Sequence, residues 1–511
     1  MAIGRTYSVA LLGLEGSIVE VEADISSNLP SIVLIGLPDA ALTEARDRVR
    51  AAAANSGCPL TGRKLTINLS PAALPKHGSG FDLAIALASL AAAGDVSADS
   101  VEAVVHLGEL GLDGRLRPMA GILPAVLAAA RAGKGTVMVP VGNADEASLV
   151  PGIRVLPVAS LREAAIHHGG RYDPIPVDPL ISGVESDGVA SEYDVADIVG
   201  NDAAVHALLI AAAGGHHVFL LGPPGAGKTM LAERLPGLLP DLDEQAALEA
   251  TSIRSLAGRQ IGAELMTRPP LEAPHHTATA AAIIGGGSGR IRPGAAVRAS
   301  HGVLFLDEAP EFATAVLDVL RQPLESGRIT IHRANGVAHF PGRFQLVMAA
   351  NPCPCGQYGA PEDTCTCSPS ARRRYLGRVS GPLMDRIDIR LTLRRVTATQ
   401  LRLADDASRP NTATARVRVL QAREAARERL RSTPWTMNGQ VSGPWLRDRA
   451  RRLGSTTTAS LDRALERGGI TMRGYDRTLR LAWTVADIEG ADRPSAEHIG
   501  AALYLRKGMT P

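Results

Sequence analysis

The sequence predicts an α/β protein in three parts: an α+β N-terminal domain, a parallel-sheet core built round one strand, glycine loop and helix, and a helical C-terminal domain. Three observations predict it. Val218 to Leu221 is a short apolar run that delivers GPPGAGKT, Gly222 to Thr229, into a helix-like segment beginning at Thr229 and stopping near Pro236. Two further apolar runs, ending at Asp307-Glu308 and at Asn351, have the unbroken hydrophobicity of strands buried on both faces. From Thr397 to Pro511 the apolar residues recur at helical spacing.

Length and composition agree with this. The 511 residues allow roughly three domains. Hydrophobic residues make up 45%, enough for several cores, but aromatics are only 3%, so alanine and small aliphatic side chains must fill the interior. Fifty-four basic residues against 52 acidic ones give a net charge of +2, which announces neither a nucleic-acid nor a membrane partner, so any basic binding surface is local. No apolar run reaches the roughly 18 residues that span a bilayer, and the N-terminus meets Glu15 too early for a secretory signal. A cytoplasmic protein with no membrane partner is expected.

In chain order, Ser17 to Val21, Ser31 to Ile35 and Lys64 to Asn68 read as strands, with a helix from Asp39 to Ala54 between the second and third. A glycine-rich turn in PKHGSG, Pro75 to Gly80, opens a long apolar helix ending at Gly94. That turn is either a second phosphate nest or a helix cap with close packing. GELGLDGRLRPMAG, Gly108 to Gly121, reads as a hairpin around Asp113 and Gly114, followed by a helix from Ile122 to Ala132. Residues 1–175 resemble the protease-like domain of the Lon family, a ribosomal S5 domain 2-like fold that recurs in magnesium-chelatase subunit I. The resemblance puts the nucleophilic serine of such proteases at Gly80 and the lysine near Leu123. Ser79 is one residue off and Lys134 lies beyond the helix, so a protease fold without protease chemistry is expected. Residues 176–192, within a stretch rich in proline, glycine, serine and acidic residues, read as a linker.

Residues 193–395 carry the chemistry. In GPPGAGKT the backbone of Gly222, Pro223, Pro224, Gly225, Ala226 and Gly227 forms a concave nest, and the following helix adds the positive end of its dipole. Such a nest fits the phosphates of ATP. Lys228 is placed to reach the β- and γ-phosphates, and Thr229 to ligate Mg2+. GVLFLDE, Gly302 to Glu308, brings two carboxylates to the same strand ends, where Asp307 would hold the magnesium and Glu308 would polarise the attacking water. FQLVMAANP, Phe344 to Pro352, ends in Asn351, whose amide can reach the γ-phosphate or that water. Between these strands RITIHRANGVAHF alternates around Asn335-Gly336 as a tight hairpin standing proud of the core. Its Arg328, His332, Arg333 and His339 either touch phosphates or are simply solvated. The adjacent His275 and His276 point in different directions on a regular element and read as a loop feature, not as metal ligands.

Cys353, Cys355, Cys365 and Cys367 form CxC, nine intervening residues, then CxC. Four thiolates on two short loops can hold structural Zn2+, with a disulfide as the alternative. The basic run Arg372 to Arg374, with Tyr375 and Arg378, serves either phosphates or subunit contacts. In the C-terminal region, 396–511, Arg416 to Arg431 holds six arginines and two glutamates, with Val417, Leu420 and Leu430 as a narrow apolar seam. It reads as a solvated helix face or as a DNA surface. Ser495 is the expected cap of the last helix.

APHHTATAAAIIGGG, RPG, HGVLFLDEAPEF, VLRQPLESG, NPCPCG and SGPLMDRID follow one another between Ala273 and Asp388. Together with the N-terminal domain they resemble the YifB/ComM family of magnesium-chelatase-like AAA+ ATPases. The resemblance implies a P-loop AAA+ core with a C-terminal helical lid, and a homo-oligomeric ring, most simply a hexamer. It implies adenine contacts at Val199 and Gly200, the sensor 1 role for Asn351, an arginine finger at Arg386 and a sensor 2 arginine at Arg473, with Arg477 as a competitor for that role. It also implies action on DNA, since one branch of the family is implicated in branch migration during natural transformation. Remodelling of a protein or metal-insertion partner is the alternative, followed by ATP-dependent proteolysis.

Overall fold

The computed structural model describes the chain except residues 1–2, 28, 37–38, 73, 75, 77, 181–192, 288–290, 334–335, 360–364, 404–408, 449–451 and 509–511. Most of the expected linker and the Asn335 half of the hairpin turn lie outside the described residues.

Period-two burial along the first strands produces the N-terminal sheet. Its seven strands run in the order Ser31–Ile35, Lys64–Ser70, Glu15–Ser26, Gly4–Leu12, Val105–His106, Thr136–Pro140 and Arg154–Val158. Glu15–Ser26 pairs antiparallel with Gly4–Leu12 on one side and with Lys64–Ser70 on the other, and the remaining pairings are parallel. The helix Asp82–Ala93 lies across this sheet with Asp82 to Ala91 all buried, which is what its almost unbroken apolar sequence requires. The expected hairpin forms between Glu109–Leu110 and Leu116–Arg117, with Gly114 at φ 79°.

The core sheet has the order Leu271–Glu272, Val303–Leu306, Gln345–Ala350, Val218–Leu221, Ile389–Thr392, with every pairing parallel. The strand feeding the glycine loop is therefore interior, flanked by the strand that ends at Asn351. Leu221 pairs with Ala350, and the Gly222 N–H donates to the Ala350 carbonyl at 3.1 Å, so the two strand ends open side by side. In such a sheet ligands gather beyond the carboxyl ends of the strands.

The helical C-terminal region packs against the helix Asp202–Gly214 through Thr412–Leu430 and Met472–Ile488, and against the strand Ile389–Thr392 through Ala496–Lys507. A buried polar network joins it to the core. Arg477 donates to Asp388 at 2.7 Å and to the Arg386 carbonyl at 2.9 Å, and His216 bridges Asp388 and Thr484. Burial by itself would raise the Asp388 pKa; the Arg477 charge overrides it and holds the carboxyl well below the usual range.

Two expectations are corrected here. The seam of the Thr412–Leu430 helix is Ala415, Val419, Ala422, Ala426 and Leu430, while Val417 and Leu420 are 53% and 41% exposed. Alanines at helical spacing make the contact surface, so the larger side chains are free to face outward. Several of that helix's arginines are tied within the chain: Arg423 donates to the Ala212 carbonyl at the end of a helix, Arg429 grips Asp487 at 2.7 Å, and Arg416 pairs with Asp241. The other correction concerns the hairpin Arg328–Arg333 and Gly336–Pro341, which does not stand free. Its Ile329, Ile331, Ala338 and Phe340 are buried, and the turn at Gly13 of the N-terminal domain packs against Ala338 and Phe340. Arg328, His332 and His339 are exposed on its outer face, and Arg333, on the inner face next to the turn, is exposed as well.

Candidate active site

The loop after Val218–Leu221 turns twice through left-handed glycines, Gly225 at φ 76° and Gly227 at φ 85°, before the helix Lys228–Leu238 begins. Gly222 is required by close approach: a Cβ there would lie 2.9 Å from the Leu393 carbonyl oxygen. Lys228 is buried, and its Nζ donates to the carbonyls of Gly222 and Pro223 and to Asn351 Oδ1, at 2.7, 3.0 and 3.0 Å. Burial pushes its pKa down, against the pull of Asp307 and Glu308.

Thr229 Oγ1 donates to Asp307 Oδ2 at 3.0 Å. These are hard oxygen donors side by side at a helix start, the donor chemistry that Mg2+ takes. Glu308 follows in the left-handed region, at φ 51° and ψ 42°, and its N–H donates to Asp307 Oδ1 at 2.9 Å. Lys228, Thr229, Asp307, Glu308 and Asn351 are thus gathered at the ends of three neighbouring strands. The arrangement can bind a polyphosphate, hold a divalent cation and offer a carboxylate to a water.

Val199 and Gly200 lie just before the helix Asp202–Gly214, and the Asn201 amide is 3.5 Å from the Ala226 carbonyl of the loop. Gly200, at φ 72°, packs against Val396 and Gln400. Arg395, which sequence reasoning did not single out, donates to the Pro224 carbonyl at 3.1 Å.

The two arginines expected to complete the site lie apart from it. Arg386 is folded onto Glu325 and the Pro382 carbonyl, with no contact to the phosphate loop of its own chain among the described residues. Arg473 is exposed in the first turn of Met472–Ile488, whereas Arg477 is committed to Asp388. That separates the two competitors: only Arg473 presents its guanidinium outward.

The histidine pair departs from expectation. His275 and His276 sit in a turn with ring centroids 4.1 Å apart, and His276 Nδ1 lies 3.2 Å from Glu308 Oε2. Nothing in the local sequence pattern signals that pairing, because it joins a loop to the end of a different strand.

The four cysteine sulfurs lie within 4.8 Å of one another. Cys353 Sγ is 3.3 Å from Cys355 and 3.6 Å from Cys365, close to the ~3.8 Å edge of a tetrahedral zinc–thiolate site. No disulfide is formed. The cluster touches the phosphate loop: a Cβ on Gly356 would lie 2.9 Å from Pro224. Of the basic run, Arg378 donates to the Pro310 carbonyl and to Glu311, and Arg372 stacks on Tyr358.

Comparison with known proteins meets this geometry along the whole chain. Three family models match in order: subunit ChlI of magnesium chelatase over residues 21–143, magnesium chelatase subunit ChlI over 194–401, and the ChlI C-terminal region over 409–506. An uncharacterised protein of Mycobacterium tuberculosis strain H37Rv is 49% identical, over 99% of each chain. Competence protein ComM of Haemophilus influenzae is 38% identical over 99% of this chain and 98% of its own, and the uncharacterised YifB of Escherichia coli K12 is 37% identical over 99% and 97%. The chain belongs to the YifB/ComM family of magnesium-chelatase-like AAA+ proteins. Among the described residues no helix is long and apolar enough to cross a membrane.

Proposed function

We propose that this chain hydrolyses ATP with Mg2+ as one subunit of a ring, and that the ring moves on DNA. The observation carrying the reading is the convergence of Lys228, Thr229, Asp307, Glu308 and Asn351 within hydrogen-bond reach round one glycine loop. Bound MgATP supplies an activated phosphoryl group. The chain's own residues do the rest: the loop amides and Lys228 hold the phosphates, Thr229 and Asp307 hold the cation, and Val199 and Gly200 flank the base. Glu308 accepts a hydrogen bond from the attacking water, and Asn351 orients that water or the γ-phosphate. Arg386, without a role at its own loop, serves a neighbour, which makes a closed ring, in our reading a hexamer, the working form. Arg473 is the sensor 2 candidate.

DNA is favoured as the substrate by the competence protein among the relatives and by the exposed Arg328, His332, Arg333 and His339 on the hairpin. We assign the boundaries 1–175, 193–395 and 396–511 to a Lon-protease-like domain, the AAA+ core and the helical lid, working in the cytoplasm. Among the described residues the candidates for a Ser/Lys pair are engaged elsewhere, which supports a protease fold without protease chemistry: Ser79 donates to Glu109, Leu123 is buried, and the Lys134 ammonium packs over Tyr7. At low salt, forked or Holliday-junction DNA should accelerate hydrolysis and be displaced in the process. No DNA binding under those conditions, where phosphate contacts are strongest, would favour a protein or metal-insertion partner instead.

Zinc in the cysteine cluster would clip the segment after Asn351 against Pro224. Elemental analysis of purified protein should find about one zinc per chain. Protein without stoichiometric zinc and with freely titrating thiols would remove the ion from the picture.

A further inference from the structure

Glu308 is half exposed, and an exposed glutamate ordinarily samples several rotamers. In this chain two features restrict it. The first is its own backbone: φ 51° is a left-handed conformation that a non-glycine residue adopts only when its surroundings hold it there. The second is His276, whose Nδ1 lies 3.2 Å from Oε2, where an Nδ1–H would face that oxygen. Oε1 is left available.

The histidine is itself well rooted. It leaves the short strand Leu271–Glu272, whose Glu272 is gripped by Arg298 through two bonds of 2.8 and 3.0 Å. Three residues beyond it, Thr279 caps the helix Ala280–Ile284 by accepting from the Ala282 N–H at 3.2 Å. The neighbouring His275 ring stacks on it and is fixed in turn through Thr277, at 2.9 Å. A short loop anchored at both ends thus presents one imidazole to one carboxylate.

We propose that His276 is a positioning residue for the water-activating carboxylate: it occupies Oε2 of Glu308 and so aims Oε1 at the position of the attacking water. The inference rests on the assignment of Glu308 as the residue that polarises water. It makes a definite separation between binding and chemistry, because His276 has no contact with the phosphate loop among the described residues.

The test is steady-state ATP hydrolysis by the full chain, with ATP affinity measured in parallel. His276→Ala should lower kcat about fivefold, the scale of a half-exposed polar contact, and leave KM for ATP unchanged. His276→Asn, which restores an N–H at nearly the same place, should recover most of the loss. In a Glu308→Gln background, His276→Ala should have no further effect, because the histidine acts only through that carboxylate. An unchanged kcat in His276→Ala would overturn the proposal, as would an equal further loss in the Glu308→Gln background or a failure of Asn to rescue. If Glu308→Gln itself hydrolyses ATP normally, the assignment of Glu308 fails instead, which is a different result.

Discussion

Replacing Arg386 with alanine should slow ATP hydrolysis by roughly 10³- to 10⁵-fold, the range an arginine finger contributes by offsetting charge in the transition state. The loss should be repairable in a way that no ordinary active-site lesion is. Arg386 pairs with Glu325 of its own chain and does not reach its own phosphate loop. If it serves the neighbouring subunit, an Arg386→Ala chain still owns an intact Lys228, Asp307 and Glu308, while a Glu308→Gln chain still owns an intact finger. Each is inactive by itself. Mixed, they create interfaces in which one supplies the finger and the other the carboxylate, and hydrolysis should return in proportion to those interfaces. A mixture no more active than its two components would mean that the arginine works in cis or not at all.

Lys228→Ala should reduce turnover by about 10²- to 10³-fold, the cost of removing one preorganised donor from a site where charge develops, and should weaken ATP binding as well. The lysine has a second employment in this fold. Its ammonium ties the Gly222 and Pro223 carbonyls to Asn351, so it fastens the loop to the adjoining strand end. The alanine variant therefore loosens the nest in addition to removing a charge. Lys228→Met, which keeps the buried stem without the ammonium, should be as inactive as Lys228→Ala but closer to the parent in thermal stability. Hydrolysis by either variant at the parent rate would show that the phosphate loop is not the catalytic site.

How much of this was legible beforehand depends on how local each signal is. The glycine loop, Asp307-Glu308 and Asn351 are each the end of a continuous apolar run, and a parallel sheet gathers strand ends on one side whatever the loops between them do. Those residues could be placed from spacing alone. The N-cap Ser495 is equally local, and it accepts from the His498 N–H as expected. By contrast, the pairs His276–Glu308, Glu325–Arg386 and Asp388–Arg477 join segments far apart in the chain, and no periodicity announces such partners. The seam of the Thr412–Leu430 helix was misread for another reason. In a chain so poor in aromatics, alanine carries the packing, and a search for large apolar residues finds the exposed side instead. The hairpin was recognisable from its turn, but its burial was not, because the surface covering it comes from the turn at Gly13, hundreds of residues earlier.

The bond from Arg477 to the backbone carbonyl of Arg386 carries one more consequence. The helical domain thereby holds the main chain of the residue proposed as the finger, whose side chain is folded onto Glu325 of its own chain. If Arg386 serves a neighbouring subunit as proposed, a tilt of that domain in one protomer would change the reach of its arginine, and so the moment at which the next protomer could fire. In a ring built this way the order of firing would be set by the outer helices handing posture from one subunit to the next, and phase, more than affinity, would be the quantity that the C-terminal domain controls.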